Sequence, residues 1–548
     1  MLYSLLLGLF AHAPLPLPQE ATDTLPPLEA CVPPDALMAL HVADPGGLFA
    51  KRETSKVAAA LTDPAWIDLL QSMSDDEGEE VDVAAHSERF AAMLPGLHGL
   101  VLWADMENLD ESEFDDMSMN MVVRGEQENL EALEAWMREV GTLDEPDVRL
   151  ITTPGQLRLC KLSKEELEAE DQEIAPLVFA YGIGSDRPGL LCQENMQAER
   201  NGQDIEFVAN FGRLMEMADE GDEELPPSIL KELQALRWVH MGVSVGEGME
   251  SVTSISVGLR PKGLLQSLVA CLESGDEADL HKIPFGASDM TASKIDIGTM
   301  LEHIFQIAEE VEEGFSSDDF YDQLDMMKDQ IGVDFREDVL ENLTGSMLAF
   351  SLDLSLMSTE SYLPGTQRVT YTMGLNSSQR MYDALETVIG MFAPMIGMEP
   401  DEVEGSWGAG WSMDLQDGEA AVLGTGARGL IFSTEASGLA AMAALDVPES
   451  GEKTMADDEA VSQLVASMGG SWMQITNISA SIQTITDAIE IIEDLANSEM
   501  EDEDVAEMMD ILPYMEVLQE VADRHLSGHS GMVLETQSDR VRYQMFTR

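Results

Sequence analysis

The chain has 548 residues and carries 104 Asp and Glu against 29 Lys and Arg, a formal net charge of -75. That balance excludes a nucleic-acid partner, because phosphate binding needs clustered Lys and Arg that release counterions. Hydrophobic residues at 44% and charged residues at 24% describe a globular chain, not a disordered acidic tail, and the length calls for more than one domain.

The amino terminus, residues 1–13, is an apolar run ending in the small-x-small site Ala11-His12-Ala13 and followed by a Pro-rich segment. It reads as a short signal peptide, with signal and Pro-rich leader over 1–21, an N-terminal lobe over 22–285 and a C-terminal lobe over 286–548. Export places the mature protein in the periplasm or outside the cell. Leu28-Glu29-Ala30-Cys31 is a poor lipoprotein box because of Glu29. The most apolar later stretch, 388–398, is short and holds Pro394, so no transmembrane anchor is expected.

Next comes an internal echo. Three apolar strands run into a helix-capping residue: Leu40-His41-Val42-Ala43-Asp44, Ser293-Lys294-Ile295-Asp296 and Met473-Gln474-Ile475-Thr476-Asn477. Each is followed about fifty residues later by a Leu-x-Gly closer and a new strand, beginning at Leu94, Leu343 and Leu526. Glycine at a left-handed position just past a helix explains its recurrence there. Strand-then-helix phrases follow at 117–140 and 368–392, with a detached copy at 252–272 and a last strand at 540–546. The expected fold is α+β: antiparallel sheets with helices packed on one face, built from repeated strand-helix-helix-strand-strand-helix units in two lobes.

Acidic runs at 75–82, 107–116, 165–173, 219–224, 309–313 and 499–504 read as solvated loops or helix faces. None has EF-hand spacing, so no cofactor is expected beyond weak divalent cation association. Cys160 and Cys192 end two apolar runs, 156–160 and 188–192, that read as neighbouring strands and make a disulfide candidate; free buried thiols are the equal alternative. Gly424-Thr425-Gly426-Ala427-Arg428-Gly429 matches a dinucleotide fingerprint, but the strand-like Leu430-Ile431-Phe432-Ser433 follows where a helix is required, which makes it a hairpin turn. His525 and His529 are separated by the closer glycine Gly528 and read as helix-end residues. Trp407 and Trp411 flank Gly408-Ala409-Gly410; on one strand both indoles share a face, a candidate ligand platform weighed against ordinary core. The 36 methionines read as packing.

The opener Val32-Pro33-Pro34-Asp35-Ala36-Leu37-Met38-Ala39-Leu40-His41-Val42-Ala43-Asp44 resembles a family of uncharacterised exported proteins, a domain of unknown function, from planctomycete-like bacteria. Ile331-Gly332-Val333-Asp334-Phe335-Arg336-Glu337-Asp338-Val339-Leu340, leading to Leu343-Thr344-Gly345, resembles the same family. The resemblance implies an exported protein and supplies no catalytic residues. The expected function is a non-catalytic binding or structural envelope protein adapted to salt, with an envelope protein or a polycation as partner. The alternatives are an extracytoplasmic hydrolase built from dispersed residues and a cation-buffering envelope protein.

Overall fold

The computed structural model describes residues 27–34, 36–61, 63, 65, 89, 92–106, 117–139, 148–161, 190–192, 203–212, 236–259, 264–311, 316–354, 368–395, 399–416, 419–447, 451–497, 503–537 and 539–548. The expected signal peptide and most of the acidic runs lie outside the described residues. The chain divides into two compact units: Met1–Glu224 with Leu233–Leu259 and Arg524–Leu526, and Leu225–Glu232 with Arg260–Asp523 and Ser527–Arg548. The strand Leu272–Asp276 hydrogen-bonds to Asp289–Ile295 and is thereby part of the second unit.

The strands of the first unit are β1 Met38–Val42, β2 Leu97–Met106, β3 Met117–Gly125, β4 Val148–Thr153, β5 Gln156–Lys161, β6 Ile205–Ala209, β7 Leu236–Val245 and β8 Ser251–Leu259. They pair antiparallel in the order β4-β5-β3-β2-β1-β6-β7-β8. Side chains alternate across a strand, so each row of cross-strand partners belongs to one face. The row Val42, Leu100, Val123, Leu157 packs with Leu48 and Phe49 of α1 (Pro45–Lys51), Ala58 of α2 (Lys56–Leu61) and Leu130, Leu133 and Met137 of α3 (Gln127–Glu139). The opposite face, through Ala39, Val101, Val122 and Val208, packs under 3₁₀ turns at Leu28–Cys31 and Leu190–Cys192.

In the second unit the strands are β9 Leu272–Asp276, β10 Asp289–Ile295, β11 Leu343–Ser351, β12 Thr370–Leu375, β13 Asp401–Gly405, β14 Gly408–Gln416, β15 Glu419–Gly426, β16 Gly429–Ser433, β17 Ser471–Trp472, β18 Gln474–Asn477, β19 His529–Thr536 and β20 Arg540–Thr547. Their antiparallel order is β13-β14-β15-β16-β12-β11-β10-β18-β19-β20. The first half of β10 pairs with β18 and its second half with β9, which in turn pairs with β17.

Helices do not keep to one face here. Ala292, Leu348 and Ile431 pack with Leu439 and Met442 of α8 (Ala436–Leu445) and Val461 and Leu464 of α9 (Glu459–Ser467). The adjacent row, Trp411–Leu423–Phe432, points the other way, and there Trp411 meets Tyr382 of α7 (Ser378–Phe392). A wide sheet with alternating large apolar residues has two faces to cover, and one layer of helices covers one of them. Further α-helices among the described residues are α4 Leu264–Ala270, α5 Ile297–Val311, α6 Ser317–Ile331, α10 Ile478–Asn497 and α11 Glu503–His525.

Each opener residue caps its helix. The Gly47 amide donates to Asp44 at 2.9 Å, the Thr299 amide to Asp296 at 3.1 Å and the Ala480 amide to Asn477 at 3.2 Å, satisfying amides that a first helical turn leaves unbonded. The closers are less uniform. Gly345 and Gly528 have φ of 78° and 93°, but Gly96 does not have positive φ; a Cβ there would meet the Asn129 side chain at 2.2 Å. Close approach, not handedness, is what favours glycine at position 96.

Candidate functional site

Chemically capable side chains gather in a buried cluster and in an open cleft among the described residues. The first is buried in the first unit. His41 of β1 stands directly opposite Glu206 of β6, and His240 of β7 is the cross-strand partner of Val208, two residues along the same face. Nδ1 of His41 lies 2.8 Å from Glu206 Oε2, Nε2 of His240 lies 3.6 Å from Oε1, and Glu29 approaches His41 Nε2 at 4.0 Å. His41, Glu206 and His240 are 4%, 2% and 0% exposed. Neither ring nitrogen of His240 makes a hydrogen bond among the described residues. A carboxylate between two imidazoles is acid-base chemistry in kind, but the 3₁₀ turn Leu28–Cys31 packs on this face and the three side chains are almost fully buried. The cluster acts as a polar core that fixes the register of β1, β6 and β7.

The second place is an open cleft of about 370 Å³ in the second unit, lined by α4, the ends of β9 and β10 and the start of α5. Its chemically relevant residues are Cys271, Glu273, Lys294, Asp296, Thr299 and His303. Cys271 donates to the Ser267 carbonyl at 3.3 Å, and burial, helped by the charge of Asp296, pushes its thiol up. A thiol shifted that way is a poor nucleophile. Hydrogen bonds from the Thr299 amide and hydroxyl hold Asp296 below the usual carboxylate range. Lys294 donates to Asp276 at 3.1 Å, which pushes the ammonium up and the carboxylate down. The thiol and the bonded carboxylates are therefore driven away from the neutral range that proton transfer at neutral pH needs. The cleft can hold a polar ligand; these groups do not supply a nucleophile.

The tryptophan pair does not form an exposed platform. Trp407 sits in the turn between β13 and β14, so strand alternation does not put it on a common face with Trp411, and it packs into the core at 8% exposure. Trp411 is 4% exposed and stacks on Tyr382 with centroids 4.9 Å apart. Cys160 lies in β5, but Leu190–Cys192 is a 3₁₀ turn, so the two are not on neighbouring strands. Their side chains lie outside the described residues. Gly424–Gly429 spans the β15–β16 hairpin, where Gly426 pairs with Gly429. α11 ends at His525, whose Nε2 lies 2.7 Å from Asp63, while His529 opens β19.

The carboxyl of Glu435, 4% exposed, is pushed up by burial, against hydrogen bonds from the Leu352 and Asp353 amides and the Ser437 hydroxyl. It ties the end of β11 to the start of α8. Among the described residues no group of three or more His, Cys, Asp or Glu is placed to hold a metal ion, and no helix is long and apolar enough to cross a membrane. No family model, curated protein or solved structure matches the chain.

Sequence reasoning missed the His41–Glu206–His240 cluster. Its signal was present: each of the three interrupts an apolar strand at an inward position of the alternation.

Proposed function

We propose that this chain is an exported, non-catalytic binding or structural protein of the cell envelope, adapted to salt. The observation that carries the reading is the state of the open cleft. Its Cys271 thiol is pushed up and its Asp296 carboxylate is pulled down, the reverse of what a hydrolytic nucleophile or a neutral-range general acid needs. The apolar leader of residues 1–13 supports export, and the charge of -75 supports a salt habitat, since added salt screens the self-repulsion that such a charge imposes.

We also infer that both units arose from one repeated strand and helix unit. Their strand orders support this: a central antiparallel pair, β1 with β6 and β10 with β18, is flanked on each side by an antiparallel pair, and the capped helices follow β1, β10 and β18.

The test is a panel of ester, peptide, glycoside and phosphate substrates offered to the purified full-length chain, beside Cys271→Ser and His303→Ala. No turnover above buffer is expected from any of the three. Turnover abolished by either substitution overturns the non-catalytic reading. The salt reading is checked separately by thermal unfolding, whose midpoint should rise from low to molar salt.

A further inference from the structure

The second unit has one hairpin that no described strand of the first unit matches. Among the described strands of the first unit the sheet ends at β4, which pairs with β5. In the second, β15 is followed outward by β14 and then by β13, which pairs with β14 alone among the described strands. β13 is thus a sheet edge, and four of its five residues, Asp401, Glu402, Glu404 and Gly405, are exposed. The hairpin turn is two residues long and closes on the Gly405–Gly408 pair. In an antiparallel ladder a two-residue turn closes on a hydrogen-bonded pair, and bonded and non-bonded pairs then alternate. Asp401, Val403 and Gly405 therefore bond to β14, and the backbone amides and carbonyls of Glu402 and Glu404 face outward, unpaired by any described strand.

The charge on this hairpin has one sign. β13 and β14 together hold Asp401, Glu402, Glu404 and Asp414 and no Lys or Arg. Asp383 and Glu386 of α7, with Glu402 and Glu404, are close enough to add to the burial that pushes the Tyr382 phenol up. Tyr382 rests one ring face on Trp411, the direct cross-strand partner of Glu402. At the end of α7 and in the turn after it, a few residues before β13, Met391, Phe392 and Met395 are 37%, 41% and 74% exposed. Acidic side chains on an edge suffice to stop a second copy of this acidic chain from adding to it. They do not account for large apolar side chains left exposed a few residues before it in the chain, nor for an aromatic ring among four carboxylates, which suits an alkyl ammonium or a guanidinium.

We propose that β13 is a docking edge for an extended, basic polypeptide segment, which adds to the sheet as a further antiparallel or parallel strand and sets its Lys or Arg side chains among Glu402, Glu404, Glu386 and Asp383. Main-chain hydrogen bonds to Glu402 and Glu404 give the affinity and the carboxylates give the selection, the division of labour usual for strand addition. The proposal deepens the binding reading above and rests on it.

The experiment uses the full chain and a fluorescent peptide of about ten residues, one strand length, alternating Lys with Val and Thr, followed by anisotropy. General attraction to a polyanion is separated from docking by paired variants. Glu402→Lys/Glu404→Lys should weaken binding about tenfold or more, whereas the equal charge change Asp322→Lys/Asp325→Lys on exposed positions of α6 should weaken it less than about twofold. Glu404→Pro removes the outward amide without touching the β14 ladder and should weaken binding further than Glu404→Gln, which removes only the charge. Equal weakening by the two double variants, or by Pro and Gln, overturns the proposal in favour of diffuse attraction, as does no binding with the fold intact by circular dichroism. Each of these leaves the non-catalytic reading standing, because that reading falls only on turnover.

Discussion

The two units handle a polar junction between their central strands in different ways. In the first, Glu206 of β6 faces His41 of β1 and, with His240, is almost completely sealed. In the second, Asp289 of β10 faces Thr476 of β18, accepts from its hydroxyl and from Gln474 Nε2, and is only partly buried. A sealed carboxylate depends wholly on its protein partners, while a half-exposed one keeps water as an alternative. One arrangement fixes a core, and the other leaves a face that tolerates change.

The strongest way to break this comparison is to remove both carboxylates. Glu206→Ala leaves two buried imidazoles facing an empty site and should cost about 3 kcal/mol, whereas Asp289→Ala should cost about 1 kcal/mol. Urea unfolding of the full chain measures the loss, and hydrogen exchange should place the Glu206→Ala effect in β1, β6 and β7. Equal losses would mean that sealing makes no difference. The closer glycines give the next effect. Gly345 has φ 78° and a Cβ there would meet the Ile295 carbonyl oxygen at 1.8 Å, so Gly345→Ala should cost about 3 kcal/mol. The atoms nearest a Cβ at Gly96 belong to the Asn129 side chain, which can turn away by giving up its bond to the Met93 carbonyl, so Gly96→Ala should cost about 1 kcal/mol.

These residues also mark how far the sequence could be read. Asp44, Asp296 and Asn477 were legible as caps because a cap is decided within three residues by a side chain and a nearby amide. The His41–Glu206 pair was not, because its partners are 165 positions apart and alternation says only that each points inward. Trp411 misled for a similar reason. Its cover, Tyr382, comes from a helix earlier in the chain, and a spacing rule applied to Trp407 failed once that residue proved to lie in a turn. The hairpin fate of Gly424–Gly429 was legible because both flanking strands were adjacent in sequence.

Two nearly sealed carboxyls sharpen the contrast through pH. Burial raises Asp63, but hydrogen bonds from the Ala65 amide, His525 and Arg524 outweigh it and its carboxyl lies below the usual range. Its stabilisation is present above the unfolded value and is lost as pH falls through the lower folded value. Glu435 is raised, so its contribution is full below the unfolded value and is lost as pH rises through the folded one. Asp63→Asn should flatten the acid limb of a plot of melting temperature against pH, and Glu435→Gln should flatten the fall on the side above the ordinary glutamate value. Changes on the same limb would show that the two groups do not titrate oppositely.

The smallest effect compares two lysines. Lys51 lies 2.6 and 2.7 Å from the two oxygens of Asp204, which also accepts the Val245 amide at 2.8 Å. Lys294 meets Asp276 at 3.1 Å with side chains 45% and 53% exposed. A bidentate pair inside a hydrogen-bonded network keeps more of its Coulomb energy than an exposed pair with one contact, so Lys51→Met should cost about 1 kcal/mol and Lys294→Met about 0.3 kcal/mol. Both substitutions also remove a cation from a chain at -75, a long-range loss that salt screens. In molar salt the Lys294→Met cost should therefore vanish while most of the Lys51→Met cost persists, since the latter includes the ordering of Asp204 between α1 and β7. If both costs vanished together, lysine would matter in this chain only as scattered positive charge, and neither unit would depend on where it is placed.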